Sequence, residues 1–347
     1  MSNSTEMISA EKLATQKFPK LRENIWHISE NAGPEDPTYL ITSTGQFELP
    51  ANYTRNFLKI RPFCTGHKSV QFISEKTDVS VEEILAFIDV FDDIGLLCPE
   101  NPLSQSLDID KTRELLIKII RIWSNELHAV YIASELALGG LSRSILVGWM
   151  LEMYHYVRDF PAALRHGSQC ATGELKSILT RYASEEEGHE QFILETLVNL
   201  GLDEAEVKSS VPLVSTRAIG FLLRELLESE PATTLLAAAL LEAADFDEEN
   251  IDLYKTRLSV LYDIPINALD PYFTHQKIDY ELGHQRLLVD NIELINMSDI
   301  QHLDQAVNKL HDLKHAFELQ SLEIKSYYGE PLNGRYVPRQ KMSFMNI

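Results

Sequence analysis

The feature that most constrains the fold is the helical periodicity that runs through the chain after Lys111. Long amphipathic segments alternate with short breaks that contain Gly, Pro or Asn, and almost no alternating strand pattern occurs among them. The spacing of the apolar residues predicts helices near 111–138, 142–158, 171–200, 214–227, 231–244, 248–262, 269–295 and 301–326. Helices of this kind bury their apolar stripes against one another, so the sequence predicts a mainly all-α protein built on a helical bundle.

The first hundred residues have a different pattern. Strand-like pieces at Asn24–Ser29 and Tyr39–Thr42 are separated by Pro and Gly, and a helix is predicted to begin at the capping sequence Ser80-Val81-Glu82-Glu83. Residues 98–110 are polar and contain two prolines, which is typical of a linker. We therefore expect a small α+β module of the winged-helix kind over 1–105, a helical domain over 106–328, and an extended tail over 329–347, packed on the surface or on a second subunit.

Composition and charge argue against several classes of protein. The formal net charge of −21 would repel phosphate backbones, and no basic stripe interleaved with aromatics occurs, so nucleic acid is not an expected partner. No apolar run approaches the ~18 residues of a membrane span, and the polar N-terminus does not resemble a secretory signal. Three irregularly spaced cysteines suggest neither a disulfide framework nor a cysteine zinc site. We expect a cytoplasmic protein.

Carboxylates and histidines recur at helical contact spacing in the predicted bundle. Glu186 and His189 are three residues apart, and His275 and Asp279 are four apart, so each pair can project from one helix face. Glu242 follows an apolar run, where a buried carboxylate needs a partner. Carboxylate and imidazole together suit iron or manganese, and helical bundles build di-iron sites by aiming such residues inward from several helices. The sequence therefore predicts a metal centre.

Glu152 and His155 form a further Glu-x-x-His pair. Two such pairs would suit a ferritin-like site, but only one predicted helix break separates His155 from Glu186, and the ferritin-like order requires another Glu-bearing helix between them. We therefore expect Glu152 and His155 to line the cavity or to support the metal ligands, with a purely structural packing role as the alternative.

Three stretches carry a family resemblance over about residues 115–295. They are Ser142–Leu164 with its aromatic-rich end and Phe160-Pro161, the acidic segment with His189 that closes at Leu200-Gly201, and the late segment with Tyr272-Phe273, His275 and Asp279. Together they resemble the haem-oxygenase-like di-iron oxidases and oxygenases, relatives of pyrroloquinoline quinone synthase and thiaminase II. The resemblance implies a haem-oxygenase-like bundle, two irons per chain, O₂ as co-substrate, and six metal ligands, namely Glu186, His189, Glu242, His275, Asp279 and His284.

The last of these ligands departs from the family pattern, in which a histidine usually follows the aspartate by three residues. Here position 282 is Leu, and the histidine is His284. On an ideal helix Asp279 and His284 would point about 140° apart. They could therefore share a site only through a π-bulge or an irregular turn, which Gly283 would tolerate.

The N-terminal module also resembles a known domain. Phe63-Cys64-Thr65-Gly66-His67 and Ile94-Gly95-Leu96-Leu97 are similar to the small peptide-chaperone domain of the pyrroloquinoline quinone pathway. The resemblance implies a peptide or amino-acid-derived substrate. A degenerate winged helix that serves only dimer packing is an equal alternative.

The leading hypothesis is an O₂-dependent di-iron enzyme that acts, as a homodimer, on an amino-acid-, peptide- or fatty-acid-derived small molecule in natural-product or cofactor biosynthesis. Neither a membrane nor a nucleic acid is an expected partner. One alternative is a metal-free oxidase of the quinone-synthase type, in which the same positions serve as acid–base groups. A thiaminase-like hydrolase is less favoured, because Cys170 lies in the wrong part of the helical pattern to act as its nucleophile. A non-catalytic binding protein is the third alternative.

Overall fold

The structure is a computed structural model. It divides into two compact units, Met1–Ser106 and Leu107–Ile347. The residues that it describes are 17–22, 26–29, 38–42, 45–94, 96–98, 108–242, 248–296, 299–329 and 338–346. The boundary at 106 falls inside the predicted linker, most of which lies outside the described residues.

In its described residues, the N-terminal unit combines a small sheet with three α-helices. Its antiparallel sheet has the order β1 (Trp26–Ser29), β2 (Thr38–Thr42) and β3 (Gly45–Leu49). The first two strands were predicted, and the third was not. Three helices follow, namely α1 (Ala51–Ile60), α2 (Val70–Thr77) and α3 (Val81–Asp93). Their apolar faces meet in one hydrophobic core, so this unit buries side chains of its own, including Phe57, Ile60, Ile73, Ile84 and Phe91.

The capping box predicted at the start of α3 makes one of its two expected hydrogen bonds. The Glu83 backbone N–H donates to Ser80 Oγ at 3.2 Å, which satisfies one of the free amides at the helix start. The Glu83 carboxylate does not reach back to the cap. Instead it accepts from Asn56 Nδ2 at 2.6 Å and thereby ties α3 to α1.

The C-terminal unit is a helical bundle, as predicted. Its helices are α4 (Ile109–Val130), α5 (Ile132–Leu138), α6 (Arg143–Cys170), α7 (Gly173–Glu185), α8 (Glu190–Asn199), α9 (Glu204–Ser209), α10 (Val214–Ser229), α11 (Thr233–Leu241), α12 (Glu248–Tyr262), α13 (Asp270–Leu282), α14 (Leu287–Asn291) and α15 (Ile300–Tyr328). Two hydrophobic clusters form its core. Among the described helices, none is both long and apolar enough to cross a membrane.

Three predicted helices are broken in the structure. The predicted helix 111–138 divides at Tyr131, whose backbone is extended (φ −73°, ψ 139°). The predicted helix 171–200 divides at Glu186–His189, and the predicted helix 269–295 ends at Leu282. Apolar spacing continues across all three breaks, so periodicity alone could not locate them.

Helix α6 is longer than the predicted 142–158, because it continues through Pro161 to Cys170. A proline inside a helix removes one backbone hydrogen bond and costs about 3 kcal/mol. Pro161 and its neighbours Phe160 and Leu164 are buried in the bundle, and their packing offsets that cost. The central helix can therefore contact α7, α8, α10 and α15 along its length.

One close approach fixes α6 against α15. A Cβ added to Gly148 would lie 2.3 Å from the Tyr328 ring, so no other residue fits there without displacement of the ring. This contact brings the Tyr328 hydroxyl within 2.9 Å of Glu152 Oε1 on α6.

The described part of the C-terminal tail packs on the surface of the bundle. The Val211 backbone N–H donates to the Arg339 carbonyl at 2.7 Å, and Arg339 Nη1 donates to the Pro212 carbonyl at 2.6 Å. The tail then ends in a short 3₁₀ turn at Phe344–Asn346. The packing of the extended tail over 329–347, on the surface or on a second subunit, stays a prediction.

Deletion of residues 1–105 is expected to leave a soluble helical domain that still binds iron. The reason is that all six candidate ligands and two complete hydrophobic clusters lie in the C-terminal unit. Circular dichroism, gel filtration and an iron count on the truncated chain measure this. Aggregation of the truncated chain, with binding of an apolar dye, would contradict it.

Candidate metal centre

Six side chains from the C-terminal unit meet in one cluster. Their ligand atoms form two groups, within each of which the atoms lie no more than 4.8 Å apart. The first group is Glu186, His189, His275 and Asp279, and the second group is Glu186, Glu242 and His284. Glu186 belongs to both groups, so its two oxygens could hold two cations side by side.

Glu186 and His189 reach the cluster from a turn, whereas the sequence analysis predicted that they project from one helix face. Helix α7 ends at Glu185 and α8 begins at Glu190, so both residues lie between the helices. Gly188 supplies the left-handed backbone conformation (φ +91°) that this turn requires. The turn still brings His189 Nδ1 to 3.4 Å from Glu186 Oε2.

The first group is completed by α13. His275 and Asp279 project from one face of this helix, as their spacing predicted, and His275 Nε2 lies 3.3 Å from Asp279 Oδ2. The other carboxylate oxygen, Asp279 Oδ1, lies 3.1 Å from His189 Nδ1. The Asp279 carboxylate therefore stands between the two imidazoles.

His284 enters the second group because α13 ends before it. The helix stops at Leu282 and Gly283 adopts a left-handed conformation (φ +78°), after which His284 begins a short 3₁₀ turn. The expected irregularity is thus a glycine-terminated helix end and not a π-bulge. His284 is 1% exposed, and its Nδ1 lies 3.1 Å from Glu186 Oε1.

Two further side chains hold members of the second group. Glu185 Oε2 lies 3.3 Å from His284 Nε2, which leaves Nδ1 of the same ring directed at Glu186. Glu242 follows the last residue of α11, and the Tyr182 hydroxyl donates to its Oε1 at 3.3 Å. Sequence reasoning missed both supporting residues. Glu185 precedes Glu186, and Tyr182 lies one helical turn before it, so helical spacing could have found Tyr182.

Burial and crowding shift the pKa values of these groups in opposite directions. Burial would raise the pKa of Glu186, but the close contacts of its carboxylate with the His189 and His284 imidazoles outweigh it and lower the value to about 2. For His189 the directions are reversed: burial would lower its pKa, but Asp279 and Glu186 raise the value to about 10. The pKa of Glu242 rises to about 8, because of burial and because of repulsion by Glu186 and Asp279.

The cluster leaves buried polar atoms without hydrogen-bond partners. Five such atoms are Glu186 Oε1, His189 Nδ1, His275 Nε2, Asp279 Oδ1 and His284 Nδ1, each of which lies 3.1–3.3 Å from a carboxylate or imidazole atom of the cluster but makes no hydrogen bond. Buried polar atoms are nearly always paired in proteins, so five together in one place require an explanation. Divalent cations would satisfy them, since carboxylate and imidazole are the ligand types suited to iron. The residues present therefore fit a metal site, and the buried groups could hold a metal ion.

Glu152 lies outside both ligand groups, although its side chain is buried. Glu152 Oε2 accepts from the Leu213 backbone N–H at 2.9 Å and from Thr216 Oγ1 at 2.6 Å, while its Oε1 accepts from Tyr328. Three donors from two segments, the start of α10 and the end of α15, thus converge on one carboxylate. This arrangement is typical of a structural hydrogen-bond centre.

His155 is also outside the ligand groups, and it lines a separate cavity of about 220 Å³. Its Nε2 lies 3.0 Å from Ser210 Oγ, which in turn donates to the Val207 carbonyl at 2.6 Å. Because the Ser210 hydroxyl uses its proton on Val207, it can only accept a hydrogen bond from His155. His155 must therefore carry its proton on Nε2 to make this bond. Burial lowers the pKa of His155 to about 4, which keeps the ring neutral at physiological pH.

The main cavity, of about 320 Å³, opens directly onto the ligand cluster. Glu186, Glu242, His275 and Asp279 form part of its wall. The remaining wall is mostly aromatic and aliphatic and comes from α4, α6, α11, α13 and α15, with Trp149, Tyr156, Phe160, Tyr272 and Phe317 as its largest members. A small molecule in this cavity would lie against the side chains that could hold a metal.

Comparison with solved structures places this bundle in a known fold. This chain is similar to a crystal structure from Shewanella denitrificans OS217, which is described as a domain of unknown function with a haem oxygenase-like fold. The two chains share 19% sequence identity with a TM-score of 0.51, over 65% of this chain and 94% of the other. This protein has a haem-oxygenase-like fold.

The haem-oxygenase-like fold confirms what the sequence resemblance implied about architecture. No family model matches the sequence, and no curated protein is significantly similar to it. The fold is compatible with many activities, so function must be argued from the site.

Proposed function

We propose that this protein is a non-haem di-iron enzyme that uses O₂ to oxidise a small molecule. The observation that carries the proposal is the position of Glu186, whose carboxylate is shared by two groups of buried ligand atoms. One metal ion would need only one group. Two adjoining groups with a common carboxylate match a site for two cations.

Each of the two ligand groups would hold one metal ion. In the first group, Glu186 and Asp279 would supply carboxylate oxygens, and His189 and His275 would supply imidazole nitrogens. The second group offers Glu242 and His284 beside the shared Glu186, and this smaller set would leave positions open. A bound pair of ferrous ions would supply the electrons and the open positions needed for reaction with O₂.

The surrounding side chains would keep these ligands in position. The contact with Glu185 orients the His284 ring, as a carboxylate does for many metal-bound histidines. Tyr182 donates to Glu242 and lies against the His284 ring, with a centroid separation of 4.5 Å. The apolar walls of the main cavity would bind the substrate and exclude water from the site.

The alternatives are less well supported by the geometry. A metal-free oxidase or a non-catalytic binding protein would leave the five buried atoms of the cluster in contact with neighbouring ligand groups but without hydrogen bonds, which is costly. A thiaminase-like hydrolase needs a cysteine in the pocket, but Cys170 is exposed at the end of α6 and does not line the main cavity. A peptide-derived substrate, a role in biosynthesis and a homodimer stay predictions from the sequence.

The protein is expected to bind about two equivalents of Fe(II) per chain when it is reconstituted without oxygen. The two ligand groups set this number. Exposure to O₂ should then consume oxygen and change the visible absorption of the protein. An iron titration followed by oxygen-electrode and stopped-flow measurements tests both steps. A stoichiometry of one would indicate a mononuclear site, and a stoichiometry of zero would contradict the proposal.

A further inference from the structure

We infer that the main cavity receives an uncharged apolar part of the substrate, an alkyl chain or an aromatic ring, and not the charged groups of an amino acid or peptide. The inference rests on the proposed function, since it concerns the same site and narrows its substrate class. It follows from the charge, the shape and the size of the cavity.

The first observation is the charge of the wall. Among the described residues that line the cavity, there is no Lys or Arg, and the acidic ones are Glu186, Glu242 and Asp279. All three belong to the ligand groups. With metal ions bound, these carboxylates would be engaged, so an ammonium group deeper in the cavity would have no counter-charge. A carboxylate there would also be unpaired, and burial of an unpaired charge is strongly unfavourable.

The second observation is the packing of the aromatic wall. Trp149 meets Tyr131 edge to face at 6.2 Å between centroids, and it meets Tyr272 in the same manner at 5.6 Å. The indole Nε1–H donates to the Tyr131 hydroxyl at 3.3 Å. The three rings therefore pack against one another. They form a continuous wall and not an open cage into which a cation could be inserted between ring faces.

The third observation is that the amide N–H groups of the three glutamines in the wall are engaged, while the oxygen Gln285 Oε1 is buried without a hydrogen bond. Gln320 Nε2 donates to Thr216 Oγ1 at 2.8 Å, and Gln276 Nε2 donates to the Tyr272 hydroxyl at 2.8 Å. Apolar side chains that include Val157, Leu240 and Leu241 also line the cavity. Such a surface favours hydrocarbon over groups that need several hydrogen bonds.

The size of the cavity limits the substrate segment. A volume of about 320 Å³ corresponds to roughly ten water molecules, since each occupies about 30 Å³ of liquid. The segment that fits is therefore on the order of ten non-hydrogen atoms. Octanol, octylammonium and octanoate have this size and differ only in the charge of one end.

These three probes test the inference in the full-length chain, by displacement of a fluorescent apolar dye. Octylammonium is compared with octanol after iron loading, when the ligand carboxylates are engaged. Octanoate is compared with octanol before iron loading, when no metal is available to bind it. In both comparisons we expect octanol to bind at least tenfold more tightly. Equal or tighter binding of either charged probe would overturn the inference.

A substitution in the wall locates the binding. Met153 lies on α6 and lines the cavity, and its replacement by Lys would place one cation there. We expect Met153→Lys to reverse the preference, so that octanoate binds more tightly than octanol, while Met153→Leu keeps the original preference. If Met153→Lys leaves the preference unchanged, the probes bind elsewhere and the inference fails. If Met153→Lys does not fold, the comparison of octanol with the two charged probes in the unmodified chain still tests the inference.

The iron titration separates this inference from the proposed function. Two bound irons together with a preference for charged probes would overturn the substrate class alone. Failure to bind iron, with octanol still preferred over octanoate, would overturn the di-iron function and leave the apolar cavity established.

Discussion

Replacement of Glu186 by Ala is expected to reduce the iron content from about two to nearly zero per chain. Glu186 is the one residue that belongs to both ligand groups, and its two oxygens lie near His189 in one group and His284 in the other. Its loss would open a position in both groups at once. An iron count after anaerobic reconstitution measures the effect.

Variants of the other ligands should have smaller and distinct effects. His284→Ala and Glu242→Ala remove residues of the second group only, so each should retain about one iron. His275→Ala affects the first group, which keeps three other ligands, and should weaken that metal position selectively. Graded losses of this kind would support two separate positions with one shared carboxylate.

The acidic sequence Glu185-Glu186-Glu187 contains a matched control. Glu187 follows Glu186 in the sequence, but its side chain is 68% exposed and forms an ion pair with Arg165 on the surface. Glu187→Ala should therefore keep two irons. The proposed assignment of ligands is wrong if Glu187→Ala loses as much iron as Glu186→Ala does.

Replacement of Glu152 by Ala is expected to lower the free energy of unfolding by about 3–5 kcal/mol without a direct effect on the ligand groups. The substitution leaves the Leu213 N–H and the hydroxyls of Thr216 and Tyr328 without their buried acceptor, and it also creates a cavity. Urea unfolding followed by circular dichroism, with iron counts on the folded variant, measures both properties.

Glu152→Gln separates the loss of hydrogen bonds from the loss of charge. Burial raises the pKa of Glu152, so a neutral side chain is partly tolerated at this position. The amide keeps an oxygen for Leu213 and Thr216, and we expect a cost of only about 1 kcal/mol. Glu195→Ala on the exposed face of α8 serves as a surface control and should change stability by less than about 0.5 kcal/mol. A large loss of iron in Glu152→Gln, with stability unchanged, would instead indicate that Glu152 supports the metal site.

The sequence alone was sufficient to predict the helical bundle and the residue types of the candidate site. Periodic apolar residues report which face of a helix is buried, and this signal is strong in a chain made largely of helices. The spacing of His275 and Asp279 predicted their common face on α13 correctly. Glu242 was recognisable because a carboxylate beside the apolar run of α11 needs a partner.

Only the tertiary structure decided how these residues meet. Glu186 and His189 reach the cluster through a turn at Gly188, and His284 reaches it because Gly283 ends α13. Apolar spacing does not record a positive φ at a glycine, so it could not show where the backbone leaves the helix. The contact of Glu185 with His284, and the three donors on Glu152, join segments distant in sequence. Such partners are chosen by the packing of whole helices, which local spacing does not determine.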